Sequence, residues 1–303
     1  MDLSIIILAY KSKQHLEALL PSIWQSEDVG FGQEIGRRYS AELIIVDNGS
    51  NDGTIEELRI TNYELRGQSA IRNPQLQLIQ NSNTGFAAGN NIGIRQASGK
   101  YILLLNPDTK VEPDTFKTML DFMDSRSDIG IAGCKIIKPD GKLDLACRRR
   151  FPNPWNSFKR LFLLDNQDYN YTNIDENQSM EVDSVVGAFL LIGKSAIDKI
   201  GMLDEDFFMY GEDLDWCWRC KQANLKVWYY PKTFITHYKG SSSAQIPFQS
   251  LKWFHESMWI FYKKHYWQKY PLILNWLVFL GIYLRLGLLY VVNLFRSKPH
   301  VSQ

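Results

Sequence analysis

A chain of 303 residues is long enough for one large domain or two modest ones, and at 45% apolar it has the material for a full core, which excludes a disordered chain. The 34 Lys and Arg balance 33 Asp and Glu, so a uniformly basic nucleic-acid binder is excluded and no nucleic acid is expected as a partner. Charge is uneven, however: residues 251–303 carry a net +6 and 13 of the 40 aromatics, leaving a net −5 on the other 250 residues.

In chain order, Leu3 to Ala9, Glu42 to Asp47, Leu76 to Asn81 and Lys100 to Asn106 are continuous apolar runs, the pattern of parallel strands covered on both faces. Helices are expected between them at 12–26, 52–66 and 86–98. This alternation predicts a parallel α/β sheet with its ligand site at the carboxyl ends of the strands. Further on, a helix is expected at 112–125 and a strand from Ile129 to Ile137, followed by a long aperiodic stretch from Arg148 to Ser179. A strand from Val182 to Ile192, a helix from Glu212 to Asn224, a strand from Lys226 to Tyr230 and helix from Phe248 to Phe295 complete the chain.

Polar groups stand at the four expected strand ends: Ala9-Tyr10, Asp47-Asn48-Gly49-Ser50, Asn81-Ser82-Asn83-Thr84-Gly85 and Asn106-Pro107-Asp108. The first turn lacks glycine, so a dinucleotide-binding fingerprint is absent, and no Walker A sequence occurs. Gly85 to Gly89 is a GxxxG pattern too weak to carry meaning alone. Asp108 after an apolar strand, with Asn106 two residues earlier, suits a hard divalent cation, although Asn-Pro-Asp-Thr is also good turn chemistry. Glu212, Asp213 and Asp215 open a helix after the aromatic segment 206–211, whose apolar wall could raise a carboxylate toward a useful basicity; simple helix capping is the plain alternative. His237 follows the late strand-like segment. Arg148, Arg149 and Arg150 could clamp a diphosphate or form a solvated basic turn.

The 4 cysteines give no disulfide framework, and Met1-Asp2 runs directly into a strand-like segment without a signal peptide, so a reducing cytoplasm is expected. Cys217 and Cys220 mimic a redox pair, but the acids just upstream would raise a thiol pKa, and they read as packing residues.

Taken in order, Ser4 to Tyr10, Val46 to Gly53, Asn81 to Asn91, Leu105 to Thr109 and Tyr210 to Trp216 resemble the motifs of the family 2 inverting glycosyltransferases, and most closely the rhamnosyltransferase-like branch, from about residue 3 to 240. The resemblance implies a GT-A fold, with a nucleotide-sugar-binding half at 1–110 and an acceptor-binding half at 111–245 of one catalytic domain. By position, Ala9, Tyr10 and Asp47 would meet the nucleotide, and Asn83, Gly85, Phe86 and Asn90 would line the donor pocket. Asn106-Pro107-Asp108 stands in place of the family's Asp-x-Asp metal motif, Asp213 in place of the catalytic base and His237 in place of the late metal-binding histidine, with Mn2+ or Mg2+ as the implied cofactor. Glu212, Asp215, Trp216 and Arg148 to Arg150 are candidates for acceptor or phosphate contacts. Two positions depart from the pattern, Asn106 for the first acid of Asp-x-Asp and Asn48 for the second acid of Val-Asp-Asp-Gly-Ser.

These likenesses imply inverting, metal-dependent transfer of a sugar, L-rhamnose from dTDP-rhamnose by branch, to a saccharide or lipid-diphosphate-linked glycan in bacterial surface polysaccharide synthesis. Transfer of galactose, N-acetylglucosamine or galactofuranose from a UDP donor is the alternative, and a catalytically inactive glycan- or lipid-binding subunit a further one. Residues 246–303 read as a helical, basic and aromatic tail suited to a membrane surface. Leu272 to Phe295 is long enough to span, but Arg285, Asn275 and Asn293 oppose it, so peripheral attachment to the inner face of the plasma membrane is expected. Homo-oligomerisation and packing of the tail on the catalytic body stay open.

Overall fold

A computed structural model describes residues 1–31, 36–56, 58–59, 76–163, 167–238 and 246–296. The first half is β1 (Leu3–Ala9), α1 (Lys13–Trp24), β2 (Val29–Gly30), β3 (Tyr39–Asn48), β4 (Leu76–Asn81), α2 (Phe86–Gln96), β5 (Tyr101–Leu105) and β6 (Thr109–Val111). Of the helix expected at 52–66, residues 54–56, 58 and 59 are helical and the rest lies outside the described residues. Next come α3 (Thr115–Asp124), β7 (Ile129–Ile137), α4 (Pro154–Phe162), α5 (Gln167–Asn170), β8 (Met180–Glu181), β9 (Phe189–Gly193) and α6 (Lys194–Ile200). The chain ends with α7 (Glu212–Gln222), β10 (Lys226–His237), α8 (Pro247–Tyr266) and α9 (Leu272–Leu294).

The sheet runs β2-β3-β1-β5-β9-β7-β10-β6, with β4 also on β3 and β8 on β10. β4, β3, β1 and β5 are parallel, whereas β9 is antiparallel to both β5 and β7. Ile5, Ile6, Ile7 and Leu43 to Val46 are fully buried, as strands covered on both faces require, and each such side chain contributes about 1.5–3 kcal/mol. α2 packs closely on β1: a Cβ on Gly89 would lie 2.5 Å from Leu8 Cδ1. The glycine pattern that carried no meaning in the sequence is thus partly a packing requirement.

Three sequence expectations change. The strand read from Val182 to Ile192 begins only at Phe189, because 182–188 is drawn aside by Arg149, whose amide and carbonyl both bond Ser184 at 2.9 Å. The aperiodic stretch 148–179 contains two helices, the first opened by a capping box at Asn153 with Pro154 next. The helix read from Phe248 to Phe295 is two helices, since Pro271 cannot donate into a continuing helix and instead precedes α9.

The tail is part of the body as well as an appendage. Phe207, Phe261, Tyr262 and Tyr266 form a second buried cluster, and Asp215 of α7 accepts from Lys264 and His265 of α8, each at 2.8 Å.

Candidate active site

Chain order carries β1, β3 and β4 to one side while β5 returns on the other side of β1, and such a reversal leaves the crevice in which α/β sheets hold ligands. Asp47 ends up opposite Ala9 in register. Its carboxylate accepts the Ser50 amide at 3.2 and 3.3 Å, and Ser50 Oγ accepts the Lys11 amide at 2.8 Å, which ties the loops after β1 and β3 together. Tyr10, Asn83, Phe86 and Asn106 keep exposed surface, whereas Ala9, Asp47, Gly85 and Asn90 are buried beneath them. Asn90, expected to line the pocket, donates to the Phe86 carbonyl at 2.9 Å and supports the loop from within α2.

Asn48 joins the loops after β3 and β4. Its amide donates to Asn83 Oδ1 at 3.2 Å and to the Gly85 carbonyl at 3.1 Å, and its Oδ1 accepts from Asn81 Nδ2 and the Thr84 amide. A carboxylate could make the last two bonds but not the first two, which accounts physically for the amide at this position. Gly85 adopts φ +91° and has no room for a Cβ, which would lie 2.5 Å from the Phe208 carbonyl; that carbonyl accepts the Phe86 amide at 2.6 Å.

Asp108 and His237 come together through the antiparallel pairing of β6 with β10, in which His237 faces Thr109. His237 Nε2 lies 3.2 Å from Asp108 Oδ1, and its Nδ1 lies 3.6 Å from Asp144 Oδ2. Burial works against a charged imidazole here, but Asp108 and Asp144 outweigh it and push its pKa up to about 9. Thr109 Oγ1 donates to the Asn106 carbonyl at 2.7 Å, so the turn chemistry legible in Asn106 to Thr109 is present too. Asp144 was not singled out from the sequence. It lies 93 positions before His237, and no local pattern marks it.

These residues suit a divalent cation. A carboxylate oxygen and an imidazole nitrogen converge, and the other ring nitrogen faces a second carboxylate, the outer-shell arrangement that orients a metal-bound histidine. Among the described residues no group of three or more His, Cys, Asp or Glu could hold a metal by itself. Two protein donors completed by substrate phosphates are typical for Mg2+-type sites.

Asp213, on the first turn of α7, stands on the other side of the loop 182–188. A Cβ on Gly187 would lie 3.5 Å from the Phe86 ring and 3.9 Å from Asp213 Cβ, so one glycine separates the loop Asn83 to Phe86 from this carboxylate. Asp213 Oδ2 accepts from Arg149 Nη2 at 2.8 Å and from the Gly187 amide at 3.0 Å, while Oδ1 accepts the Leu214 amide at 2.7 Å. Glu212 beside it is buried, and its Oε2 has no hydrogen-bond partner among the described residues. Burial and the neighbouring Asp213 charge push the Glu212 pKa up to about 8. The raised carboxyl that the aromatic wall suggested is therefore found at Glu212.

Several other candidates are held by the fold itself. Asp215 is fully buried and accepts from Arg219, Lys264 and His265, and Trp216 is fully buried with Nε1 on the Gly201 carbonyl at 2.8 Å, so neither presents a group to an acceptor. Arg148 is buried, with Nη2 on the Ile174 carbonyl at 2.6 Å and Nη1 on the Asp175 carbonyl at 2.9 Å, neither a diphosphate clamp nor part of a solvated turn. Arg150 is exposed and stacks over Tyr171 at 4.4 Å. Cys217 and Cys220 are buried with pKa values raised chiefly by burial, in keeping with packing residues.

Residues 4–201 match the family model of Glycosyl transferase family 2, and the chain belongs to that family. It is 25% identical to N-acetylglucosaminyl-diphospho-decaprenol L-rhamnosyltransferase of Mycobacterium tuberculosis, over 98% of this chain and 95% of that one. It is also 28% identical to the rhamnosyltransferase WbbL of Escherichia coli, over 59% of this chain and 70% of that one. Among solved structures, TarS of S. aureus superposes with a TM-score of 0.57 at 14% identity, covering 94% of this chain and 43% of that one. A mannosyltransferase from Pyrobaculum calidifontis in complex with GDP-Man and Mn2+ has a TM-score of 0.57 at 13% identity, covering 95% and 71%. The fold is GT-A, and the protein is a family 2 glycosyltransferase of rhamnosyltransferase-like type.

Proposed function

We propose that this enzyme transfers a sugar, L-rhamnose from dTDP-rhamnose, with inversion to a hydroxyl of a saccharide or lipid-diphosphate-linked glycan in surface polysaccharide synthesis at the inner face of the plasma membrane. The observation that carries the catalytic part is the position of Asp213, one glycine away from the donor loop. The sugar and the pathway rest on the two rhamnosyltransferase relatives. The membrane location rests on α9, whose Leu272, Ile273, Trp276, Leu277, Leu284 and Leu288 are all more than half exposed.

In this reading residues 1–110 hold the nucleotide sugar and 111–245 the acceptor. Tyr10, Asp47 and the Asn83 to Phe86 loop bind and orient the donor. Asp213 accepts the proton of the acceptor hydroxyl while that oxygen forms a bond to the anomeric carbon; the bond to the diphosphate breaks, and dTDP leaves. A single displacement inverts configuration and needs no carboxylate nucleophile. Asp108 and His237 would hold Mn2+ or Mg2+, which when bound supplies Lewis-acid stabilisation of the leaving diphosphate.

The test is a panel of nucleotide sugars, dTDP-rhamnose with UDP-galactose, UDP-N-acetylglucosamine and UDP-galactofuranose, assayed with Mn2+ or Mg2+ against a lipid-diphosphate-linked saccharide. Turnover with dTDP-rhamnose alone is expected, and Asp213→Asn should lower kcat by about 10²–10⁴-fold while leaving donor binding intact. Turnover only with a UDP-sugar overturns the rhamnose assignment, and wild-type-like turnover of the Asp213 variant overturns the base.

A further inference from the structure

Arg149 is the one member of the arginine run whose side chain enters the site. Its guanidinium is almost enclosed, with 11% of the side chain exposed against 8% for Asp213, and Nη2 bonds both Asp213 Oδ2 and the Val185 carbonyl at 2.8 Å. Its backbone is fixed as well, by the two hydrogen bonds to Ser184. One residue therefore ties the loop 182–188 to the first turn of α7. The burial that would oppose a charged guanidinium is outweighed chiefly by Asp213, and the Arg149 pKa is raised.

From this geometry we infer that Arg149 is the positioning residue for Asp213, fixing Oδ2 so that Oδ1 is the oxygen that takes the acceptor proton. This rests on Asp213 being the base. The lone-pair count is direct: Oδ2 already accepts from Arg149 and Gly187, whereas among the described residues Oδ1 accepts only the Leu214 amide and keeps a site for a proton. Both Arg149 bonds, to Asp213 and to the Val185 carbonyl, come from one nitrogen, Nη2, whose two protons the planar guanidinium holds in fixed directions, whereas a lysine ammonium rotates freely.

Arg149→Met keeps the stem and removes the fork. It should lower kcat by up to about 10²-fold, the cost of a misplaced catalytic group, with little change in donor KM or in affinity for dTDP. Arg149→Lys should recover part of the loss. The pH dependence of kcat/KM supplies a readout that a purely structural residue would not move. The charged and titratable groups around the carboxylate are Arg149, Glu212 and Cys217, with Tyr169 facing Arg149 from α5; removing the cation should shift the acid limb to higher pH. A weakened dTDP affinity with unchanged kcat would overturn the inference and make Arg149 a phosphate ligand. An Arg149→Met enzyme with wild-type kcat and pH profile would overturn it too, and if Asp213→Asn is inactive in the same assays the base assignment survives that failure. If the Met variant does not fold, Arg149→Lys is read alone: wild-type kcat with an unmoved acid limb overturns the inference, whereas reduced kcat at unchanged dTDP affinity supports it.

Discussion

Asn48 stands where the family pattern carries an acid, and the reason is local: two of its hydrogen bonds require donors. Asn48→Asp would turn a carboxylate toward the Gly85 carbonyl and Asn83 Oδ1, at a cost of about 1–3 kcal/mol for the unmet buried groups. Denaturant unfolding should show that loss, and donor KM should rise more than kcat falls, because in the proposed function the affected loop holds the donor; a variant as stable as wild type would show that the amide is not needed. Glu212 makes a pH prediction. Its native pKa is raised from 4.5 to about 8, so the folded state keeps a proton that the unfolded chain releases over that interval. Stability should therefore fall as pH rises through the window, by at most about 1.4 kcal/mol per pH unit from this group. Glu212→Gln cannot ionise and should flatten that slope; an unchanged pH dependence would show that Glu212 is not buried as a neutral acid. Residue type marked Asp108, Asp213 and His237 in the sequence, and the fold brings Asp108 and His237 within 3.2 Å of each other. Neither Asp144 nor the contact of Arg149 with Asp213 was marked, because the partners lie 93 and 64 positions away and only the folded chain brings them together.

At the scale of elements, the apolar strands were legible because burial on both faces leaves a continuous run in the sequence. β6 was not, since a three-residue strand has no period, whereas β10 runs on past a bulge between Tyr230 and Phe234 to His237. The acidic start of α7 likewise looked like one functional cluster. Helical spacing instead divides it, since Asp213 and Asp215 are about 200° apart around the axis: Asp213 faces the loop 182–188 and Asp215 faces α8. Asp215→Asn should thus be a stability variant. It leaves Arg219, Lys264 and His265 around a neutral amide, and breaking a buried ion pair in this way costs about 3–5 kcal/mol. Thermal unfolding should move to lower temperature while kcat per folded molecule, measured well below the transition, stays near wild type. A loss of kcat without a loss of stability would return Asp215 to the reaction.

At the scale of the whole molecule, the tail packs on the body, one of the readings its sequence allowed, and leaves an apolar face of α9 exposed. α8 packs on the body through Phe208 to Trp253, ring centroids 4.4 Å apart, and through the Phe207 cluster. α9 then lays its polar groups on α8: Arg285 Nη1 donates to His255 Nε2 at 2.8 Å, Tyr262 donates to Asn275 Oδ1 at 2.7 Å, and Tyr290 donates to the Phe248 carbonyl at 2.9 Å. At 23 residues α9 is long and apolar enough to cross a bilayer, yet its middle is bonded to a helix that is itself fixed to the catalytic body. A span would require those bonds to break and would leave Arg285 in hydrocarbon at about 2.5–3.5 kcal/mol. An in-plane position keeps them and buries only the outer apolar face, with Lys263 and Lys269 of the same tail available to anionic headgroups. Arg296→Cys offers a sharp test, since all four native cysteines are buried. In inverted membrane vesicles a membrane-impermeant maleimide should label that cysteine from the catalytic side, and alkaline carbonate should release the protein. Labelling only from the opposite side, with release only by detergent, would show that α9 spans; a full-length protein that partitions to no membrane would leave the outer face of α9 as a contact between protein molecules.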